Sequence, residues 1–279
     1  MESKKFVLDC GRFRLDLQHP LIMGIVNVTD DSFSGDGLGA DPRRAVEQGL
    51  RLVEEGAGML DIGGESSRPG AEPVSVGQEL ARVLPVLEGL RDCGVPLSVD
   101  TVKPEVMAAA IAAGADMIND IAALRAPGAL AVVAASRAGI CLMHMQGEPR
   151  TMQQQPEYGD VVAEVSAFLA ERVAACEAAG IGRRRIVVDP GFGFGKTLAH
   201  NLALLRQLDR FGDLGLPVLA GLSRKSMLGA ITGRPVTDRL PAGIAAAVLA
   251  AQRGAAIIRV HDVAATRDAL ALLNAIEEQ

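Results

Sequence analysis

Short apolar runs bounded by Gly, Pro or a polar residue alternate along the chain with longer Ala/Leu/Glu/Arg-rich segments whose apolar positions recur at helical spacing. The first kind reads as buried strand and the second as amphipathic helix. The pattern predicts strands over 21–28, 59–63, 96–99, 116–120, 139–144, 185–189, 217–221 and 256–260. Helices are predicted over 42–55, 76–92, 104–113, 129–137, 161–179, 202–211, 240–253 and 264–276. Several helices end at a glycine just before the next strand (Gly56-Ala57, Gly114-Ala115, Gly254-Ala255), as a glycine C-cap leading into a tight loop would.

Strict alternation of strand and helix requires parallel pairing through right-handed crossovers. Eight such units close an α/β TIM barrel, (β/α)8, a fold that takes about 250 residues in a single domain. An open doubly wound sheet is the alternative. Residues 6–17 have strand character ahead of the first barrel strand and are expected to form a β-hairpin that plugs the bottom of the barrel. No linker or low-complexity stretch divides 1–279, so one domain is expected.

Composition agrees with buried parallel strands: 49% of residues are hydrophobic but only 3% aromatic, with no Trp, so the core must be Ala, Val, Leu and Ile. The net charge of −6 is dispersed, which excludes a chain-wide attraction to nucleic acid or an anionic membrane. Any anion must be gripped locally. The apolar run 242–251 is about half a membrane span, and residues 1–5 are not followed by the apolar stretch of a secretory leader. Cys10, Cys93, Cys141 and Cys176 form no C-x-x-C pair, so reduced thiols and a cytoplasmic location are expected. H-x-x-x-H spacing is also missing, so a structural zinc site is not expected.

In such barrels the reacting groups come from the C-terminal strand ends and the loops that follow them. Here those ends carry Asn27, Glu65-Ser66-Ser67-Arg68, Asp100, Asn119-Asp120, His144, Asp189, Ser223-Arg224-Lys225-Ser226, and Arg259 with His261. Loops 29–37 and 66–72 are expected to close over a substrate, Phe33 helping to cover it. The run Asp189 to Thr197 invites a phosphate-loop reading, but Pro190 stands where the first glycine of G-x-x-x-x-G-K is needed and Lys196 where the last glycine of G-x-G-x-x-G is needed. What remains is a glycine loop that permits close backbone approach, with Phe192 and Phe194 placed to flank a flat ring. Asp100, Asn119 and Asp189 suit the donor edge of a polar heterocycle. Arg68, Lys225, Arg259 and His261 suit a phosphate or pyrophosphate. Mg²⁺ riding on that group, with Asn27 as one oxygen ligand, is expected.

Met23-Gly24-Ile25-Val26-Asn27-Val28-Thr29, Asp61-Ile62-Gly63-Gly64-Glu65-Ser66-Ser67-Arg68-Pro69-Gly70, Ser98-Val99-Asp100-Thr101, Ile118-Asn119-Asp120, Met143-His144-Met145-Gln146-Gly147, Asp189 to Lys196, Ser223-Arg224-Lys225-Ser226 and Arg259-Val260-His261-Asp262 resemble, in order, the motifs of the bacterial dihydropteroate synthases. The resemblance runs over about 21–263. It implies a transferase of folate biosynthesis that condenses 6-hydroxymethyl-7,8-dihydropterin diphosphate with p-aminobenzoate, releasing pyrophosphate. By the same resemblance Asp100, Asn119, Asp189 and Lys225, with Met143 packed near, would hold the pterin. Asn27, Arg68, Arg259 and His261 would face the diphosphate, and Asn27 its Mg²⁺. Ser67, Arg68, Pro69, Phe194 and Ser226 would form the p-aminobenzoate side. The family is homodimeric through its barrel helices. Departure of pyrophosphate would leave a carbocation delocalised into the pterin, an SN1-like path that needs no side-chain nucleophile. Arg259→Ala is therefore expected to weaken pyrophosphate binding and spare a bare pterin.

Four positions depart from the family pattern: Asp30 stands where Pro is common, 34–37 read Ser-Gly-Asp-Gly, Ser67 replaces the usual Thr, and Val102 a common Ser. Two other functions fit parts of the pattern. A methyltetrahydrofolate methyltransferase would share the ring-binding carboxylates but needs no pyrophosphate rim, and a silent pterin-binding relative would not need Asp100, Lys225 and Arg259 together. His144 receives no role.

Overall fold

The computed structural model describes residues 6–29, 41–66 and 70–277. Phe33, Ser67, Arg68 and Pro69, together with Asp30 and 34–37, lie outside the described residues. The chain opens with the expected antiparallel hairpin, β1 (Val7–Cys10) and β2 (Phe13–Asp16). Eight parallel strands follow and close a barrel: β3 (Leu21–Asn27), β4 (Met59–Gly63), β5 (Leu97–Asp100), β6 (Met117–Asp120), β7 (Gly139–Met143), β8 (Ile186–Asp189), β9 (Val218–Ala220) and β10 (Ala255–Val260), which pairs back onto β3. Closure leaves no free sheet edge, so the open doubly wound alternative is set aside.

Helices cover the outside: α1 (Pro42–Glu54), α2 (Val76–Leu90), α3 (Pro104–Ala113), α4 (Ala129–Ala134), α5 (Val161–Ala178), α6 (Leu198–Arg206), α7 (Ser226–Thr232), α8 (Leu240–Gln252) and α9 (Val263–Glu277). Two predictions are corrected. The helix expected over 202–211 begins at Leu198, where Thr197 and His200 form a reciprocal capping box, and ends at Arg206 before a 3₁₀ turn over Leu208–Leu214. The short helix α7 is absent from the predicted helices. Seven residues with Gly229 at the centre do not hold a helix alone; it forms because the Arg239 guanidinium packs where a Gly229 side chain would stand and donates to the Arg224 carbonyl at 3.1 Å.

Side chains alternate faces along a strand, so residues two apart share one. On the inner faces the bottom layer is apolar: Met23, Met59, Met117, Cys141, Val187, Leu219 and Ile257 pack against Leu8, Cys10 and Leu17 of the hairpin segment. This is the expected plug. It is tied down by buried Asp116, which accepts from Arg12 Nε at 3.0 Å, Arg12 Nη2 at 2.9 Å and the Leu97 amide at 3.1 Å. One step further up the same faces the chemistry inverts, with Asp61 above Met59, Asn119 above Met117, Asp189 above Val187 and Arg259 above Ile257. A larger apolar layer between the outer strand faces and the helices carries the bulk of the burial. Among the described residues no helix is long and apolar enough to cross a membrane. All four cysteines are unpaired, and Cys10, Cys141 and Cys176 are buried.

Candidate active site

A cleft of about 710 Å³ opens at the C-terminal strand ends, within the range of small-molecule sites. It gathers every predicted site residue that lies within the described segments: Asn27, Asp100, Asn119, Met143, Asp189, Phe194, Lys225, Ser226, Arg259 and His261. Strand register explains the convergence. Asn27 lies beside Gly63, Gly63 beside Asp100, and Asp100 beside Asn119, so one lateral row spans four neighbouring strands. Met143 and Asp189 form the next matched pair on β7 and β8.

The floor is a network of opposite charges. Arg259 Nε donates to Asp61 Oδ2 at 2.6 Å and its Nη2 donates to Asp100 Oδ2 at 3.3 Å. Asn119 Nδ2 donates to the same Asp61 oxygen at 3.0 Å. Asp61 is fully buried and its other oxygen, Oδ1, has no hydrogen-bond partner. Arg259 is therefore locked into the base of the cleft by two acids, and the side chain expected at a phosphate rim also braces Asp100 and, through Asp61, Asn119. Burial and the nearby Asp61 charge push the Asp100 carboxyl up to about 7. Burial likewise raises Asp189, opposed by the Gly191 amide that donates to its Oδ1 at 2.7 Å. On the facing side, burial pulls the Lys225 ammonium down to about 8. Asp61 belongs to the site but was missed as a site residue; its place two residues before Gly63 and two after Met59, on the inner face, was the available signal.

Lys225 Nζ donates to the Phe192 carbonyl at 2.6 Å and stands 4.2 Å from the centroid of the Phe194 ring. Phe194 and Val102 pack against a soft cluster of Ile121, Met143, Met145 and Met152. Val102 thus lends a methyl surface to the wall where a Ser would add a hydroxyl. Ser226 opens α7 directly after Lys225. His261 Nδ1 lies 3.0 Å from Ser223 Oγ, linking the ends of β9 and β10.

Three polar strand-end residues turn out to be scaffolding. Asp120 points away from the cleft and accepts from the Ala122 and Leu124 amides, both at 2.7 Å, holding Ala123 and Leu124 at φ +54° and +56°. Two consecutive non-glycine residues in the left-handed region store strain, and the Asp120 carboxylate, with Arg172 bonded to the Ala123 carbonyl at 2.9 Å, keeps them there. Glu65 pairs with Lys103, which also pairs with buried Glu79, and accepts from the Val74 amide at 3.1 Å. It fastens the loop after β4 at its base. His144, left without a role above, lies beside buried Lys196.

Among the described residues no three His, Cys, Asp or Glu side chains cluster to hold a metal. Asn27, in the same row as Asp100 and Asn119, presents a neutral amide oxygen, which fits an Mg²⁺ that keeps most of its waters and takes one or two protein oxygens.

Known proteins resemble the chain over nearly its whole length. The pterin binding enzyme family matches residues 23–261. The dihydropteroate synthase of Escherichia coli K12 is 49% identical over 262 residues, covering 94% of this chain and 93% of the relative. The dihydropteroate synthase of Burkholderia cenocepacia, solved with 7,8-dihydropteroate, superposes with a TM-score of 0.90 at 51% identity, covering 98% of this chain and 97% of that one. That of Xanthomonas albilineans, solved with 4-aminobenzoic acid, has a TM-score of 0.91 at 56% identity, covering 98% of both chains. A closed barrel with a polar floor of this register, matched over nearly all its length, places the chain in the pterin-binding enzymes, in the dihydropteroate synthase family.

Proposed function

We propose that the protein condenses 6-hydroxymethyl-7,8-dihydropterin diphosphate with p-aminobenzoate to give 7,8-dihydropteroate and pyrophosphate. The observation that carries this reading is the single cleft in which Asp100, Asn119 and Asp189 adjoin Arg259, Lys225 and His261. The carboxylates and the amide oxygen accept the N–H edge of the pterin, the carboxylates through the stronger, charge-assisted kind of hydrogen bond. Arg259 faces the diphosphate from below and His261 from the end of β10, and Arg68, which lies outside the described residues, is proposed for the same group. Bound Mg²⁺, held on the protein side by Asn27, supplies charge neutralisation to the leaving diphosphate. Phe194 and Ser226 receive p-aminobenzoate, with Ser67 and Pro69 proposed for the same ligand and Phe33 for closure, these three lying outside the described residues.

The reading requires no side-chain nucleophile: the C–O bond to pyrophosphate breaks before the aryl amine attacks. The departing oxygens take both bonding electrons, the pterin carries the positive charge, and the amine nitrogen supplies the new bond and then loses a proton. Diphosphate substrate labelled with ¹⁸O in the ester oxygen that joins carbon to phosphorus tests the order. Incubated with enzyme, Mg²⁺ and no p-aminobenzoate, it is expected to scramble label into the non-bridging positions. Complete retention of the label in recovered substrate, with turnover normal once amine is added, would count against early departure.

The raised Asp100 gives a pH dependence. In the free protein Asp100 binds a proton below about 7, whereas the ligand's N–H edge needs the carboxylate. Affinity for a pterin that does not itself titrate there is expected to fall on acidification, approaching tenfold per unit below that value. Calorimetry from pH 5.5 to 8.5 checks it, and a flat profile would contradict it.

The assembly proposed is a homodimer, in the cytoplasm, where unpaired thiols persist. Neighbouring α6, α7 and α8 leave Leu202, Ile231, Leu240 and Leu249 between 39% and 55% exposed, an apolar face that a monomer has no reason to keep. Ile231→Asp is expected to shift the mass by light scattering from twice the 29.1 kDa chain to one chain. An unshifted dimer would move the interface elsewhere.

A further inference from the structure

The glycine loop after β8 is held carbonyl by carbonyl. The Phe192 carbonyl takes Lys225 Nζ, the Gly193 carbonyl takes Gln153 Nε2, the Phe194 carbonyl takes Lys196 Nζ at 2.9 Å, and the Gly195 carbonyl takes Tyr158 Oη at 2.8 Å. Of the two lysines among these donors, Lys225 lines the cleft and Lys196 has no assigned part in the reaction. It is 3% exposed and does not line the cleft. Its ammonium has three protons and three acceptors: the Phe194 carbonyl, the His144 carbonyl at 3.2 Å and His144 Nδ1 at 3.0 Å. The lysine that ends the Gly-Phe-Gly-Lys run is thus spent entirely inside the protein.

Filling the third acceptor constrains His144. Its Nδ1 can accept only if it carries no proton, which makes the ring neutral with its hydrogen on Nε2. The surroundings enforce this. His144 is 7% exposed, with Phe168 edge-on at 4.9 Å and Tyr158 at 6.1 Å between ring centroids. Burial, then the Lys196 charge, pulls the imidazole down to about 3, with Arg125 acting in the same direction. Burial pulls the Lys196 ammonium down to about 7, with Asp189 favouring the charge and Lys225 opposing it. The clamp joins the end of β7 to the loop whose Phe194 ring lines the cleft and lies against Lys225.

We propose that Lys196 and neutral His144 are positioning residues for the transfer, clamping the Phe194 carbonyl so that the Phe194 ring and Lys225 present a fixed wall to the aromatic amine. This rests on the reading that the Phe194 side receives p-aminobenzoate. Lys196→Met is expected to raise KM for p-aminobenzoate at least tenfold while the Kd for a bare pterin changes less than twofold. His144→Leu should do the same, and His144→Gln, whose amide oxygen can accept the third proton, should stay within about threefold of the parent protein. In the unmodified protein, ring ¹⁵N shifts are expected to keep His144 in the neutral Nε2–H form from pH 8 to pH 5, through the range where free imidazole titrates.

The proposal is overturned by a folded Lys196→Met protein with unchanged KM for p-aminobenzoate, by equal losses for amine and pterin, or by a His144 ring that titrates near 6.5. If Lys196→Met does not fold, the His144→Leu and His144→Gln pair decides: equal KM values for the two contradict the clamp. Failure of unmodified, pterin-saturated protein to bind p-aminobenzoate would sink the functional reading instead, and the His144 titration would still decide the clamp.

Discussion

Arg259→Ala is expected to lower the free energy of unfolding by about 3–5 kcal/mol, because it strips a buried carboxylate of its cation. Asp61 has no exposure to water, and with Arg259 gone its remaining side-chain donor is the Asn119 amide. Turnover should fall as well, on the order of 10²–10³-fold, the usual loss when a preorganised group facing developing charge is removed. The reading from sequence alone, that a bare pterin is spared, does not survive the geometry. Arg259 Nη2 bonds Asp100 and Arg259 Nε shares Asp61 with Asn119, so both ring-binding groups lose their brace. Bare pterin should bind more weakly too. Adding Asp61→Asn to the Arg259→Ala protein separates the two effects: the uncharged amide is expected to recover most of the stability and none of the turnover. Urea unfolding and initial rates on the four members of the cycle provide the measurement. A single variant as stable as the parent would show that Asp61 never depended on Arg259.

For Asp189→Asn the expectation is the reverse combination, intact stability and poor binding. The asparagine oxygen can keep the Gly191 amide now bonded to Asp189 Oδ1 at 2.7 Å, so the glycine loop stays in place. What is lost is the charge and one acceptor facing the ring. A charged hydrogen bond is worth about 1.5–3 kcal/mol, so pterin affinity should drop by roughly 10- to 150-fold. Since burial already penalises the Asp189 carboxylate, the thermal midpoint should be unchanged or slightly higher. Unchanged affinity by calorimetry would remove Asp189 from the ring site.

Much of this architecture was legible in the amino-acid pattern for a physical reason. Parallel barrel strands are buried on both faces and reach the solvent only at their ends, so apolar runs ending in Asp, Asn or Arg mark strand and site together. Asp100, Asn119, Asp189 and Arg259 were found this way. What escaped was whatever depends on partners far apart in the chain. Helix α7 needs Arg239, packed across Gly229, to exist. The bracing role of Asp61 depends on Arg259, 198 positions later. Lys196 and His144 sit in motifs that were read correctly as lying at strand ends, yet their pairing across 52 residues is a fact of the fold. Asp120 shows the opposite error: it ends a strand as a site residue would, but one step of the strand's two-residue period turns it outward to hold a strained turn.

Product formation tests most directly whether one cleft both binds the pterin diphosphate and transfers its pterin to p-aminobenzoate. Purified protein incubated with 6-hydroxymethyl-7,8-dihydropterin diphosphate, Mg²⁺ and ring-labelled p-aminobenzoate is expected to yield labelled 7,8-dihydropteroate and pyrophosphate in equal amounts. Tight pterin binding with no labelled product would contradict that reading.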